Sequence, residues 1–119
     1  MSEPATTTAV RKPKVMTVSG EPQKYVPLLR DGDAVEMKSG LVTLAPGESV
    51  GEHSTGQHEE QLVIMDGTGS VEAEGLPKQA VARGNFVYIP PQTKHNVFAA
   101  NDHSLQYVYI VSKVAPESA

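Results

Sequence analysis

An all-β domain is what this chain predicts, and three features predict it. Ten glycines and nine prolines interrupt the sequence so often that a long helix has few places to sit. Between those breaks lie short runs rich in Val, Ile, Leu, Thr and Tyr, each bounded by turn residues, as in a β-sandwich or barrel. With 119 residues, the chain has room for one domain and little else.

Composition removes several classes of function. Hydrophobic residues at 39% and charged residues at 20% describe a globular rather than a disordered chain. The absence of cysteine excludes disulfides, a thiolate nucleophile and any cysteine-ligated zinc or iron–sulfur centre. A net charge of -4 is small and of the wrong sign for a nucleic-acid binder. No apolar run reaches the roughly 18 residues of a membrane span. Met1 to Ala9 lacks the apolar stretch of a signal peptide, so a cytoplasmic location is expected.

In chain order, residues 1–14 are expected to be a flexible tail, residues 15–114 a single domain and residues 115–119 a flexible C-terminus. Val15–Val18 and Ala34–Met37 are predicted as the first two strands, and Gly40–Leu44 as the third, ending at the turn Ala45-Pro46-Gly47-Glu48. Ser49–His53 and His58–Met65 flank a short loop. Gly69–Ala73 and Gln79–Ala82 bracket a turn at Gly75-Leu76-Pro77. Phe86–Ile89, His95–Ala99 and Leu105–Val111 complete the domain. Sheet edges in so short a chain are best covered by closing a barrel or by pairing with a second copy, so a homodimer is expected.

The segment from Gly47 to Glu60 carries the chemistry. Read as a hairpin with the loop Ser54-Thr55-Gly56-Gln57, it sets His53 opposite His58, and opposed side chains share a face. Period-two alternation returns Glu60 to that face and turns Glu59 away. Two imidazoles and a carboxylate together suit a divalent metal such as manganese, iron, nickel or zinc. Leu62 and Ile64 continue the face of Glu60, so its carboxylate stands at the edge of an apolar interior, where a cation offsets the cost of burying the charge.

A second segment, from Gly84 to Asn96, ends one strand at Pro90-Pro91 and begins the next at His95. Proline cannot donate to a ladder and has a fixed φ, so the turn before His95 is rigid, a good mount for a ligand from a distant part of the chain. His103, within the turn sequence Asn101-Asp102-His103-Ser104, reads as solvated.

Together the two segments resemble the motifs of the cupin superfamily, specifically a small single-domain cupin. Gly47, His53, Glu60 and Gly67 fall at the spacing of the first family motif, and Gly84, Pro90 and His95 at that of the second. The resemblance covers Lys38 to Ser112. It implies a conical β-barrel, the double-stranded β-helix or jelly roll, with one divalent metal inside. Thr55 stands where the family's second histidine is expected, Gln92 replaces the second motif's inner glycine and Ala99 its asparagine. His58 is the natural substitute for the missing histidine. The expected metal site is therefore His53, His58, Glu60 and His95.

Family members run from dioxygenases, isomerases and lyases to storage and effector-binding proteins, so the fold sets no reaction. Three functions are consistent with the residues. One is a metal-dependent enzyme, dioxygenase or isomerase/lyase in type, acting on a small oxygenated molecule. The second is a non-catalytic sensor or storage module that binds metal or a small ligand. The third, a metal-free structural barrel, is disfavoured by the ligands that remain. Neither nucleic acid nor membrane is expected as a partner.

Overall fold

The computed structural model describes residues 11–17 and 23–115. The first ten residues of the expected tail, Val18 of the expected first strand, and residues 116–119 lie outside that description. Among the described residues there are eight strands and no α-helix. They are β1 (Tyr25–Leu29), β2 (Met37–Leu44), β3 (His53–Ser54), β4 (His58–Ala73), β5 (Leu76–Ala82), β6 (Phe86–Ile89), β7 (Lys94–Ala99) and β8 (Leu105–Lys113).

All pairings are antiparallel, in the order β1-β2-β8-β4-β7-β3, with β5 and β6 each also paired to β4. Strand β4 organises the molecule. Its first half lies between β8 and β6, and its second half between β7 and β5. One strand thus belongs to both sides of a curled sheet, a jelly-roll arrangement that wraps a single core.

The side-chain pattern of β4 explains how it does so. Glu60, Leu62 and Ile64 are buried at even positions, yet the next buried residue is Val71, at an odd one. A strict period of two would send Val71 to the outside. A bulge where the register with β8 shifts between Ile64 and Asp66 restores the phase. Gly67 follows it with φ +85°, a conformation open to glycine at low cost. The expected separate strands His58–Met65 and Gly69–Ala73 are therefore one.

The core comprises Val42 and Leu44 from β2, Leu62 and Ile64 from β4, Val97 from β7, and Leu105 and Tyr107 from β8, among others. Phe86–Ile89 forms as predicted, with Val87 and Ile89 turned inward and Phe86 and Tyr88 exposed.

Other boundaries moved. Residues 15–17 form no strand, and β1 lies further on. Pro27 disguises β1 in the sequence, since proline argues against a central strand. Here it occupies a register irregularity, where its missing N–H matters little. Residues 34–36 bend, so the second and third expected strands reduce to β2. Of Ser49–His53, only His53 joins a strand, with an isolated bridge at Ser49. The turn expected at Gly75-Leu76-Pro77 is tighter, because Ala73 already pairs with Leu76.

Gln92, where the family resemblance expects glycine, has φ +58°. A left-handed conformation costs a residue with a Cβ roughly 1–2 kcal/mol, partly offset in a glycine variant by the greater freedom of its unfolded chain. Gln92→Gly is expected to stabilise the domain by about 0.5–1 kcal/mol, read as a higher urea midpoint at unchanged slope.

Candidate metal centre

His53, Glu60 and His95 meet at one end of the barrel. Each contributes a ligand atom, and these atoms all lie within 4.8 Å of one another. His95 and Glu60 are buried, at 2% and 9% exposure, while His53 is exposed. The three side chains come from three strands: β3, β4 and β7.

The expected His53–His58 hairpin does not form. His53 pairs with His95 across β3 and β7, and His58 pairs with Lys113 across β4 and β8. The reason lies in Thr55. Its N–H donates to the Thr93 carbonyl (3.1 Å), its Oγ1 donates to the Pro90 carbonyl (2.7 Å) and accepts from the Thr93 N–H (3.1 Å). The Gln92 N–H adds a bond to the Gly56 carbonyl. Residues 53–56 are thus bound to the loop before His95, and their one backbone bond to β4 is a turn bond from the His58 N–H to the Thr55 carbonyl. Thr55, standing at a family histidine position, holds two arms of the site together instead of offering a ligand.

Of the four expected ligands, the structure brings together His53, Glu60 and His95. His58 is not within that group, but it lines the same cavity, on the same strand face as Glu60. Glu59 faces the other way, as expected, and accepts a bond from the Tyr88 hydroxyl at 2.8 Å. His103 is exposed beside Asp102, as expected.

Hydrogen bonding orients both close imidazoles. His53 Nδ1 lies 2.8 Å from the Gly51 carbonyl, and His95 Nδ1 lies 3.1 Å from the Thr93 carbonyl. A carbonyl only accepts, so each Nδ1 carries a proton and each neutral ring keeps its lone pair on Nε2. Backbone anchors of this kind fix the tautomer of metal-ligating histidines. Gly51 is itself held by its N–H donating to Asn96 Oδ1 (3.0 Å), beside His95 in the sequence.

His95 Nε2 lies 3.0 Å from Glu60 Oε1. With Nδ1 already donating to a carbonyl, a neutral His95 would aim a lone pair at a buried carboxylate oxygen. A proton or a metal ion must sit between them. The separation suits two neighbouring donors, each about 2.1 Å from one ion. The donor set of two imidazole nitrogens and one carboxylate oxygen therefore fits a divalent cation.

Without metal, that cation is a proton. Burial lowers the His95 pKa, but the hydrogen bond to Glu60, the Thr93 carbonyl and the Glu60 charge outweigh it, leaving a pKa above the ordinary 6.5. A pKa raised on folding stabilises the fold fully below the unfolded value, and that contribution disappears as pH rises through the folded value. The metal-free protein is thus expected to lose stability as pH climbs above about 6.5, read as a falling Tm. A divalent cation displaces this proton, so the Tm gain on adding metal should grow over the same window.

A cavity of about 250 Å³ adjoins the cluster, lined by His53, His58 and Glu60 with Tyr25, Lys38 and Tyr109. Burial, then the charge of Glu60, raises the pKa of both Tyr107 and Tyr109, so both remain neutral hydroxyls at physiological pH. A larger hollow of about 640 Å³ lies on the side of Glu59, Tyr88 and Gln92, where the described residues form no convergent set of ligating groups.

Residues 40–111, more than half of the chain, match the family model described as a cupin domain; the chain belongs to the cupin family. It is similar in structure to a cupin protein from Bacteroides fragilis, with 23% identity, 92% of each chain covered and a TM-score of 0.76. A cupin-like protein from Thermotoga maritima matches at 27% identity over 77% of this chain and 71% of that one, with a TM-score of 0.70. A cupin 2 conserved barrel domain protein from Salinispora arenicola matches at 20% identity over 85% and 92%, with a TM-score of 0.68. No curated protein sequence matches the chain.

Proposed function

We propose that this cupin binds one divalent metal ion, manganese, iron, nickel or zinc, through His53, Glu60 and His95, with His58 as the fourth ligand, and uses it to act on a small oxygenated molecule. The supporting observation is the pairing of His95 Nε2 with Glu60 Oε1 while both nearby Nδ1 atoms are committed to carbonyls. Such an arrangement holds two lone pairs and a carboxylate ready for a cation. His58 reaches the group by side-chain rotation, because it follows the face of Glu60 and already borders the cavity.

When bound, the metal supplies Lewis acidity and a template for an oxygen substrate, or a binding place for dioxygen beside it. The chain's own contributions are separate. His53, His95 and Glu60 fix the ion's place, the apolar floor excludes water, and the Tyr25 and Tyr109 hydroxyls orient a ligand at the mouth. Dioxygenase and isomerase or lyase chemistry both fit this layout. We also read the chain as a homodimer: among the described residues β6 pairs with β4 alone, and it exposes Phe86 and Tyr88 at 68% and 61%.

Elemental analysis of protein purified without added metal, followed by calorimetric titration of the stripped protein with Mn²⁺ and Zn²⁺, tests the metal reading. One equivalent of metal per chain is expected. No binding by the wild-type chain would refute it. Oxygen uptake with diketones, diols and phenols then separates the dioxygenase from the isomerase or lyase and from a non-catalytic binding module.

A further inference from the structure

Lys38 occupies an unusual position for a lysine. It is half-buried on β2, on the inward face it shares with Val42 and Leu44, and it lines the cavity beside the metal ligands. Among the described residues it makes no ion pair. Asp31 and Glu36 line a neighbouring hollow together with Lys38, but neither forms an ion pair with it. The stem of Lys38 is packed against the barrel wall, which leaves its ammonium free to pair with an anion that enters the cavity.

The ladder fixes where that charge stands relative to the metal ligands. Lys38 pairs with Val111, and Val111 pairs with Glu60, so the three form one row across β2, β8 and β4. Two strand spacings separate Lys38 from Glu60 at the backbone, about 10 Å. Val111 stands between them on β8 and lines the same cavity, and among the described residues no ion pair joins Lys38 to Glu60. The cavity thus has a ligating pole at His53 and Glu60 and a cationic pole at Lys38, with the Tyr109 phenol on the strand between them and Tyr25 on the strand beyond Lys38. Tyr109 is held there because its ring lies over Gly40: a Cβ at Gly40 would come within 2.7 Å of the ring.

We propose that the cavity takes a small oxyacid that chelates the metal through paired oxygens at one end and places a second carboxylate on Lys38 at the other. This rests on the metal reading above and adds to it the class of ligand. One ammonium with neutral phenol donors balances a singly charged carboxylate; a phosphate dianion calls for more cations or backbone N–H groups than this pole offers. At about 250 Å³, the space admits only a small metabolite.

The test uses two probes with the same metal-chelating end, 2-oxoglutarate and 2-oxopentanoate, which differ in the distal carboxylate. Each is titrated calorimetrically into the Mn²⁺-loaded wild type and into Lys38→Met, after each protein's Mn²⁺ affinity has been measured alone. The wild type should prefer 2-oxoglutarate about tenfold or more, as for a charge-assisted hydrogen bond. Lys38→Met should hold Mn²⁺ as tightly as the wild type and bind the two probes equally. Equal binding by the wild type, or an undiminished preference in Lys38→Met with Mn²⁺ retained, overturns the ligand class and leaves the metal reading standing. A wild type that takes up no Mn²⁺ overturns both.

Discussion

Replacing His95 with alanine is expected to lower divalent-metal affinity by at least about 100-fold, more than the 10- to 100-fold lost when only a group supporting a ligand is removed. His95 is the most deeply buried of the three clustered groups, and its Nε2 shares a cation with Glu60 at 3.0 Å. No water reaching the vacated space supplies the basicity of an imidazole anchored through Nδ1. The variant also leaves the buried Glu60 carboxylate without its partner, so the metal-free fold should weaken near neutral pH, where the charge has nothing to offset it. Glu59→Gln is the matched control, because Glu59 sits on the opposite face with Tyr88. It should bind metal as the wild type does. His58→Ala should fall between the two, at about a tenfold loss, as expected for a ligand that joins the site by rotation. Calorimetric titration of the three variants reads all of these. Equal losses for Glu59→Gln and His95→Ala would place the ion elsewhere.

The second large effect concerns stability. Gly67→Ala is expected to cost about 3–4 kcal/mol, a large share of the 5–15 kcal/mol typical of a small domain. A Cβ at Gly67 would overlap the Ser104 carbonyl oxygen and approach its carbon to 2.9 Å. These are backbone atoms and cannot swing aside as a side chain would. The residue also has φ +85°, which alanine adopts only with strain. Relieving the overlap pushes β4 away from the chain before β8 and breaks the bond from the Thr68 N–H to Ser104. That crossing is where β4 passes from one side of the barrel to the other, so the damage reaches both halves of the core. Urea denaturation measures it. Gly75→Ala offers a comparison, since its φ is similarly positive but a Cβ there meets nothing within 4 Å; only backbone strain, about 1 kcal/mol, is expected.

How far these features can be read from residues alone depends on how local their causes are. Phe86–Ile89 was legible to the residue because alternation, the glycine before it and Pro90 after it are all local. Gly47, His53, Glu60, Gly67, Gly84, Pro90 and His95 were legible as spaced motifs, and they identified the barrel and all three side chains of the cluster. The strand partner of His53 was not. A short loop between His53 and His58 favours a hairpin locally, whereas the real pairing with His95 depends on Thr55 bonding to residues far along the chain. Thr55 in place of a histidine looked like a lost ligand. Only the three-dimensional contacts reveal that its hydroxyl joins two loops.

Lys38 illustrates a related limit. Its period-two relation to Val42 and Leu44 was present in the sequence, but its row with Val111 and Glu60 exists only once three strands are in register. Conversely, the replacement of glycine by Gln92 signalled a departure correctly, yet the backbone kept the glycine conformation and the side chain bears the strain.

The most direct measurement is a crystal structure of Mn²⁺-loaded protein with anomalous data. One ion is predicted between His53 Nε2, His95 Nε2 and a Glu60 carboxylate oxygen, at bonds of about 2.1 Å, with both Nδ1 atoms still on their carbonyls. An anomalous peak away from these residues, or an ion bound through either Nδ1, would contradict the account.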